Sequence, residues 1–323
     1  MTAIMLGLAG LVVLIFGADL MIRGAIAVAR GLGISPHVIG LTVIALGTSA
    51  PELVVSLKAA LIGSPGIAVG NVVGSNISNI LLMIGTVGVI CPFLTEGRSL
   101  RRDCGVLACA TLIFVLLGRN GVIEIWQGLL MMVLLASYLY YCYWSERRSR
   151  AGHDRAETGQ IGRHSGQLVS WLRVVGGIVA VIGGAQMLVI GAVDIADQLG
   201  VSETVIGITM VALGTSVPEL ATTASAAFRR HTDVALGNII GSNIINTLGI
   251  VGVVASVGPL TVTPELVRVD LWVMAAITIV FIASALLLRT LVRPLAVAFF
   301  FTYVIYVTLQ FYPAGSLLAS LVP

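Results

Sequence analysis

One stretch of this chain occurs twice. Gly47-Thr48-Ser49-Ala50-Pro51-Glu52 returns as Gly214-Thr215-Ser216-Val217-Pro218-Glu219. Some two dozen residues on, Gly70-Asn71-Val72-Val73-Gly74-Ser75-Asn76 returns as Gly237-Asn238-Ile239-Ile240-Gly241-Ser242-Asn243. The offset is 167 residues in both cases, and nearly half of positions 34–90 are identical to their counterparts in 201–257 without a gap. A duplicated module of this size commits both halves of the chain to one architecture. Each copy also carries a single glutamate within apolar sequence, which marks a functional site inside a membrane.

The surroundings of the repeat set the solvent. Of 323 residues, 58% are hydrophobic and only 10% charged, against about 25% charged in soluble domains. A membrane-spanning helix needs about 20 mostly apolar residues. Ten segments qualify: 3–27, 36–62, 67–91, 101–118, 121–144, 169–195, 203–228, 233–257, 269–289 and 293–313. The expected fold is an all-α polytopic membrane protein. Residues 1–144 form one five-helix repeat, 145–168 an Arg-, Gly- and Ser-rich mobile linker, and 169–323 the second repeat. The N-terminal run lacks a basic leader and reads as a retained first span.

Basic residues fix the expected orientation. Fourteen, among them Arg98, Arg101, Arg102, Arg147, Arg148, Arg229, Arg230 and Arg293, fall on one side of the ten spans. Lys58, Arg119 and Arg268 fall on the other. The basic side is cytoplasmic by the positive-inside rule, so both termini face outward. Five spans per copy is an odd number, and the second copy therefore enters the membrane upside down. Inverted repeats of this kind are built around a central site in transporters. Scattered basic residues give no nucleic-acid footprint. Cys91, Cys104, Cys109 and Cys142 have no metal-binding spacing and read as fillers or free thiols.

Glu52 and Glu219 fall near the middle of the second and seventh spans. A charge at that depth costs about 2.5–3.5 kcal/mol on insertion scales. No Lys, Arg or His lies at comparable depth; Arg23, the nearest, is matched to Asp19 one turn earlier. Bound cations or protons remain to neutralise them. Pro51 and Pro218 remove a backbone donor, freeing carbonyls around Ala45–Thr48 and Ala212–Thr215, where Gly47 and Gly214 let the backbone unwind. Thr48, Ser49, Thr215 and Ser216 add hydroxyl oxygens. Hard cations take oxygen ligands of this kind, and two carboxylates match one divalent charge. Ser75 and Asn79 share a helix face four residues apart, as do Ser242 and Asn246. Gly70 and Gly74, with Gly237 and Gly241, repeat at four-residue spacing, which permits close helix approach.

Together, the paired GTSxPE and GNxxGSNxxN segments resemble the cation/calcium exchanger superfamily, and within it the prokaryotic sodium/calcium antiporter branch. The likeness covers nearly the whole chain. It implies spans 2, 3, 7 and 8 as an ion-binding core, with spans 1 and 6 as tilted gating helices. It implies Glu52 and Glu219 as shared calcium and sodium ligands, and the Thr48 and Thr215 carbonyls as calcium ligands. Ala45, Ser49 and Ser75 would line one sodium position; Ala212, Ser216 and Ser242, with Thr215, would line its mirror image. Asn79 and Asn246 would complete the central site. Some members carry Asp at one of these two positions, whereas both are Asn here. Proton-coupled members have an acid soon after Gly-Asn, and Gly74 and Gly241 stand there instead.

The function implied is calcium/sodium antiport across the cytoplasmic membrane by a monomer, with no cofactor besides the transported ions. Calcium/proton or potassium-dependent exchange is the alternative, and a passive cation channel is a rival of another class. An intramembrane hydrolase is disfavoured because no His or Lys stands ready to activate Ser49. His37, His231, Asp194 and Asp197 read as surface residues. Trp126, Trp144, Trp171 and Trp272 read as interface anchors.

Overall fold

The computed structural model describes residues 2–95, 98–151, 167–198, 203–288 and 290–311, with 203–213 as helical backbone only. Helix α1 (Thr2–Leu32) is followed by α2 (Pro36–Ile39), a π-helical turn (Gly40–Ile44) and α3 (Ala45–Thr48). At Ser49 the chain bends by 43° into α4 (Ala50–Leu61). Helix α5 (Pro65–Ser78), a π-helical turn (Asn79–Met83) and α6 (Ile84–Ile90) make one continuous rod. Strand β1 (Phe93–Leu94), α7 (Arg98–Gly118), β2 (Val122–Ile123) and α8 (Ile125–Ala151) complete the first half. The second half runs α9 (Gln167–Gln198), α10 (Glu203–Phe228), α11 (Thr232–Ile244), a π-helical turn (Ile245–Ile250) and α12 (Val251–Val257). Strand β3 (Leu260–Thr261), a π-helical turn (Leu266–Asp270), α13 (Leu271–Leu287), β4 (Thr290–Leu291) and α14 (Arg293–Phe311) follow.

Each of the ten apolar segments coincides with one or more helices over most of its described residues. Among the described residues, seven helices are long and apolar enough to cross a membrane, or eight if the pair bent at Ser49 counts as one span. Helix α7 has 21 residues, but Arg98, Arg101, Arg102 and Asp103 occupy its first turns. The α5–α6 and α11–α12 rods form the centre: their windows are 72% and 83% buried, against 11% for α14. Many side chains on these two rods are small or β-branched, which lets helices approach closely. Exposed Trp126, Trp144 and Trp272 fit interface positions, and Trp171 packs partly buried against the core.

Three features differ from the sequence reading. First, the fold is not purely helical. Two short antiparallel strand pairs tie the halves together, β1 with β4 and β2 with β3. Shifted by 167, β1 becomes β3, and β2 falls within one residue of β4. Each strand thus pairs with its counterpart's neighbour, the reciprocal contact a two-fold relation produces. Second, Ser145–Ala151 continues α8 as helix, and residues 152–166 lie outside the described set. Third, His37 is not a surface residue. It is 8% exposed, with Nε2 2.8 Å from Asp103 Oδ2 and Nδ1 3.1 Å from the Asp233 carbonyl oxygen. Asp103 is fully buried and also accepts from Arg102 Nε at 2.6 Å and Tyr138 OH at 2.9 Å. This carboxylate draws His37 inward because it needs donors. Its repeat equivalent, Asp270, accepts from Tyr306 OH at 3.0 Å and Gln310 Nε2 at 2.6 Å. Asp194 is exposed, as expected of a helix end, and the Asp197 side chain lies outside the described set.

Helices α1 and α9 lie antiparallel along most of their lengths. Glycines recur every seven residues on both, at Gly10, Gly17 and Gly24 and at Gly177, Gly184 and Gly191. The spacing keeps them on one seam. A Cβ on Gly184 would sit 2.5 Å from the Leu14 backbone nitrogen, and one on Gly177 2.6 Å from that of Met21. The seam is therefore closed by backbone contact at these glycines, with Leu14 and Ala18 of α1 in one buried cluster with Val181 and Ala185 of α9.

Two outcomes follow. Gly184→Val should destabilise the protein by about 1–3 kcal/mol, the usual range for overpacking. Gly183→Val, beside it but with nothing within 4 Å, should leave the thermal midpoint in detergent unchanged. Asp103→Ala should cost about 3–5 kcal/mol by stranding buried partners, read in the same melting assay.

Candidate functional site

The site is built where the two breaks in helical regularity face each other. Pro51 stands in the first turn of α4, and Ser49 just before it holds φ −81° and ψ 4°. In the second copy the expected unwinding does not occur: α10 runs unbroken through Pro218. The Thr222 hydroxyl donates to the Pro218 carbonyl at 2.9 Å, the back-bond to the residue four earlier that threonine makes within helices. Gly47 and Gly214 have a different use from the one expected. A Cβ on Gly47 would meet Ile178 at 2.5 Å and one on Gly214 would meet Val189 at 2.8 Å, so both admit α9. The Ala45 carbonyl accepts from Ser49 N at 3.0 Å and the Thr48 hydroxyl at 3.4 Å. Ala212 lies in the stretch described as backbone only.

The two acids are brought together, and each is served by the opposite repeat. Glu52 and Glu219 are each 1% exposed and near enough to repel one another. The Ser49 hydroxyl donates to Glu219 Oε1 at 3.2 Å, with the Thr48 hydroxyl also within reach of that carboxylate. Thr215 reciprocates at Glu52. Thr48, Ser49, Ser75, Asn79, Ser216, Ser242 and Asn246 are all at most 3% exposed, and Thr215 is 7% exposed. Among the described residues, neither glutamate forms an ion pair; the ion pairs of Asp19 and Asp103 lie elsewhere.

Polar atoms left without partners concentrate here. Among the described residues, the buried unpaired side-chain atoms apart from Arg102 Nη2 all belong to Glu52, Ser216, Glu219 and the 76–79 and 238–246 stretches. Both side-chain heteroatoms of Asn79 and of Asn246 are among them, as are Ser242 Oγ and one oxygen of each glutamate. Buried polar groups are hydrogen-bonded in the great majority of cases. A cluster of orphans around two carboxylates has the chemistry to hold a small cation. Asn79 begins one π-helical turn and Asn246 sits in another, a backbone form frequent at functional sites.

Residues missed from the sequence hold this arrangement in place. Asn71 Nδ2 donates to the Glu52 carbonyl at 3.2 Å and to Ser56 Oγ at 2.9 Å, clamping α5 to α4. Its counterpart Asn238 donates to Thr222 and Thr223 hydroxyls at 3.2 and 3.0 Å, clamping α11 to α10. Asn76 Nδ2 reaches Thr247 Oγ1 at 2.8 Å across the two halves. The Gly-Asn pair in each copy was the available signal, since both amides stand one helical turn from Ser75 and Ser242. Gly237 and Gly241 make the expected close approach, with a Cβ falling 2.4 Å from the His37 carbonyl oxygen and 2.2 Å from that of Leu41. Gly70 and Gly74 meet nothing within 4 Å among the described residues.

A cavity of about 500 Å³ lies between α4, α9 and α10, bounded by Pro51, Gln186, Thr215 and Pro218. The equivalent groove of the other copy, between α1 and α10, is bounded by Leu14, Val217 and Ala221 and not by Gly47 or Thr48.

The family model for "Sodium/calcium exchanger protein" matches residues 2–144 and 169–312. The chain is 36% identical over 294 residues to a putative antiporter, CaxA, of Alkalimonas amylolytica, covering 88% of this chain and 90% of that one. It is 32% identical over 308 residues to the sodium/calcium exchanger MaX1 of Methanosarcina acetivorans, covering 84% and 88%. A solved structure of the sodium-calcium exchanger NCX_Mj superimposes with TM-score 0.83 at 30% identity, over 95% of this chain and 98% of that one. With the reciprocal site and the fold in agreement, the chain belongs to the sodium/calcium exchanger family of membrane antiporters and is not an enzyme.

Proposed function

We propose that this protein exchanges calcium for sodium and extrudes calcium from the cytoplasm. The single observation that carries the reading is the pair Glu52 and Glu219, buried with no cationic side chain and ringed by orphaned amides and hydroxyls from both repeats. Calcium takes six to eight oxygen ligands, and carboxylate, hydroxyl, amide and carbonyl oxygens of this set are its usual partners. Glu52, Glu219, Thr48 and Thr215 bind calcium in this reading. Ala45, Ser49, Ser75, Ala212, Ser216 and Ser242 complete the sodium positions, and Asn79 and Asn246 the central one.

Ten spans in two inverted five-helix repeats carry the site, across an inner membrane with both termini outside. The reciprocal pairing of β1 with β4 and β2 with β3 supports the two-fold relation. A relative 32% identical over 276 residues is the inner membrane protein YrbG of Escherichia coli (strain K12). By the basic-residue orientation, the cavity at Pro51 and Thr215 opens outward.

Coupling follows from charge. Two carboxylates in a low-dielectric core cost several kcal/mol each when unpaired, so the core changes face only when cations balance them. One calcium or two sodium ions at the carboxylates supply the same charge, and each ion species displaces the other. Both central positions are amides, which leaves Glu52 and Glu219 as the titratable ligands and supports sodium over protons as the counter-ion. The seam between α1 and α9 makes that pair the element to move against the core.

In proteoliposomes, an imposed sodium gradient should drive calcium against its own gradient. Glu52→Gln and Glu219→Gln should each reduce this flux to the level of empty vesicles. Calcium uptake that follows a pH gradient and ignores sodium would refute the sodium reading. In a separate test, calcium at about 100 times its Kd should stabilise the wild type by about 2.7 kcal/mol. Melting curves of Glu219→Gln should show that gain largely lost.

A further inference from the structure

The groove between α1 and α10 is repeated in shape but not in charge. It is a cavity of about 630 Å³ lined by apolar side chains, including Leu11, Leu14, Ile15, Ala221, Ala224 and Phe228. It opens sideways, since Ile15 is 57% exposed and Phe228 62% exposed on the outer faces of their helices. At its end on the basic side of the protein stand Asp19 and Arg229. Asp19 is shared: Arg23 Nε lies 2.9 Å from one carboxylate oxygen, and Arg229 pairs with the other. Two guanidiniums on one carboxylate leave a net positive charge at the groove's head. Their side chains remain 60% and 33% exposed, so donors are free to meet a second anion.

The other repeat isolates what this charge is for. Its equivalent cavity has Gln186 where this one has Asp19, Ile190 for Arg23 and Ile62 for Arg229. The fold therefore builds the groove without any of the three charges. The cavity without them is bounded by Pro51, Gly214 and Thr215, and the cavity with them is not bounded by their counterparts Pro218, Gly47 and Thr48. An apolar channel open to the bilayer, headed by a forked cation at the basic side, has the chemistry of one ligand class. Hydrocarbon fills the groove, and a phosphate accepts planar guanidinium donors.

We propose that this groove binds an anionic phospholipid, with an acyl chain against Leu14 and Ala221 and its phosphate on Arg23 and Arg229. Anionic lipid is attracted to basic residues on this side of a membrane. The bound chain would lie between α1 and α10, where the α1–α9 pair must pass if it shifts against the core. The lipid is thus placed to bias that movement, and the site is independent of which ions are exchanged.

The test is retained lipid measured by native mass spectrometry, after release from nanodiscs holding equal phosphatidylglycerol and phosphatidylcholine. Wild type should keep phosphatidylglycerol preferentially. The triple variant Asp19→Gln, Arg23→Ile, Arg229→Ile carries the other repeat's residues and should lose that preference, by roughly fivefold for each arginine. Ala221→Phe should fill the groove and reduce retention of both lipids, while Lys58→Gln should match wild type. Calcium-dependent melting of each variant checks that the ion site is intact. Unchanged phosphatidylglycerol retention in the triple variant, or equal loss in Lys58→Gln, would overturn the proposal.

Discussion

Two carboxylates held in an apolar interior without a basic partner are the constraint around which this molecule is arranged. Burying an ion costs several kcal/mol even after the protein relaxes around it. Glu52 and Glu219 stand 1% exposed, so their surroundings must be polar, ordered and able to accept positive charge. The helices that supply those surroundings are the most buried in the molecule. Their small side chains let backbone approach backbone, and the side-chain amides of Asn79 and Asn246 and the Ser242 hydroxyl are left without a partner.

The duplication solves this problem by exchange. The Thr48 and Ser49 hydroxyls attend Glu219, and Thr215 attends Glu52, so neither half contains a complete site. The same reciprocity appears at the periphery, where β1 meets β4 and β2 meets β3. Fixing the halves at two rims and at the α1–α9 seam leaves the acids at the junction. A site at such a junction is sensitive to small relative movements of the halves, which alternating access requires.

Symmetry is broken where function can use it. One proline helix bends at Ser49 while its counterpart runs straight through Pro218. One lateral cavity is bounded by Pro51 and Thr215, and the other is apolar with Asp19 and Arg229 at its end. Equivalent sequence does not enforce equivalent conformation, because the backbone at each proline responds to the helices packed against it.

Much of this was legible in the residues alone. Helical segments, the repeat and the two glutamates follow from composition and spacing, since a bilayer demands long apolar runs and leaves charged exceptions conspicuous. The pairing of Arg23 with Asp19 was also readable, because partners four residues apart share a helix face. What lies far apart in the chain was not. His37 looked like a surface residue because its partner Asp103 is 66 positions away. Asn71 and Asn238 carried no assigned role in the sequence, because the groups their amides clamp lie 15–19 positions away on the proline helices. Gly47 and Gly214 suggested unwinding, yet they make room for α9, which only the packed structure brings there. The sequence determined which side chains must share a membrane interior. Tertiary structure decided which of them meet, because contacts between helices depend on rotation, bend and crossing, and these are set by the fit of all helices at once.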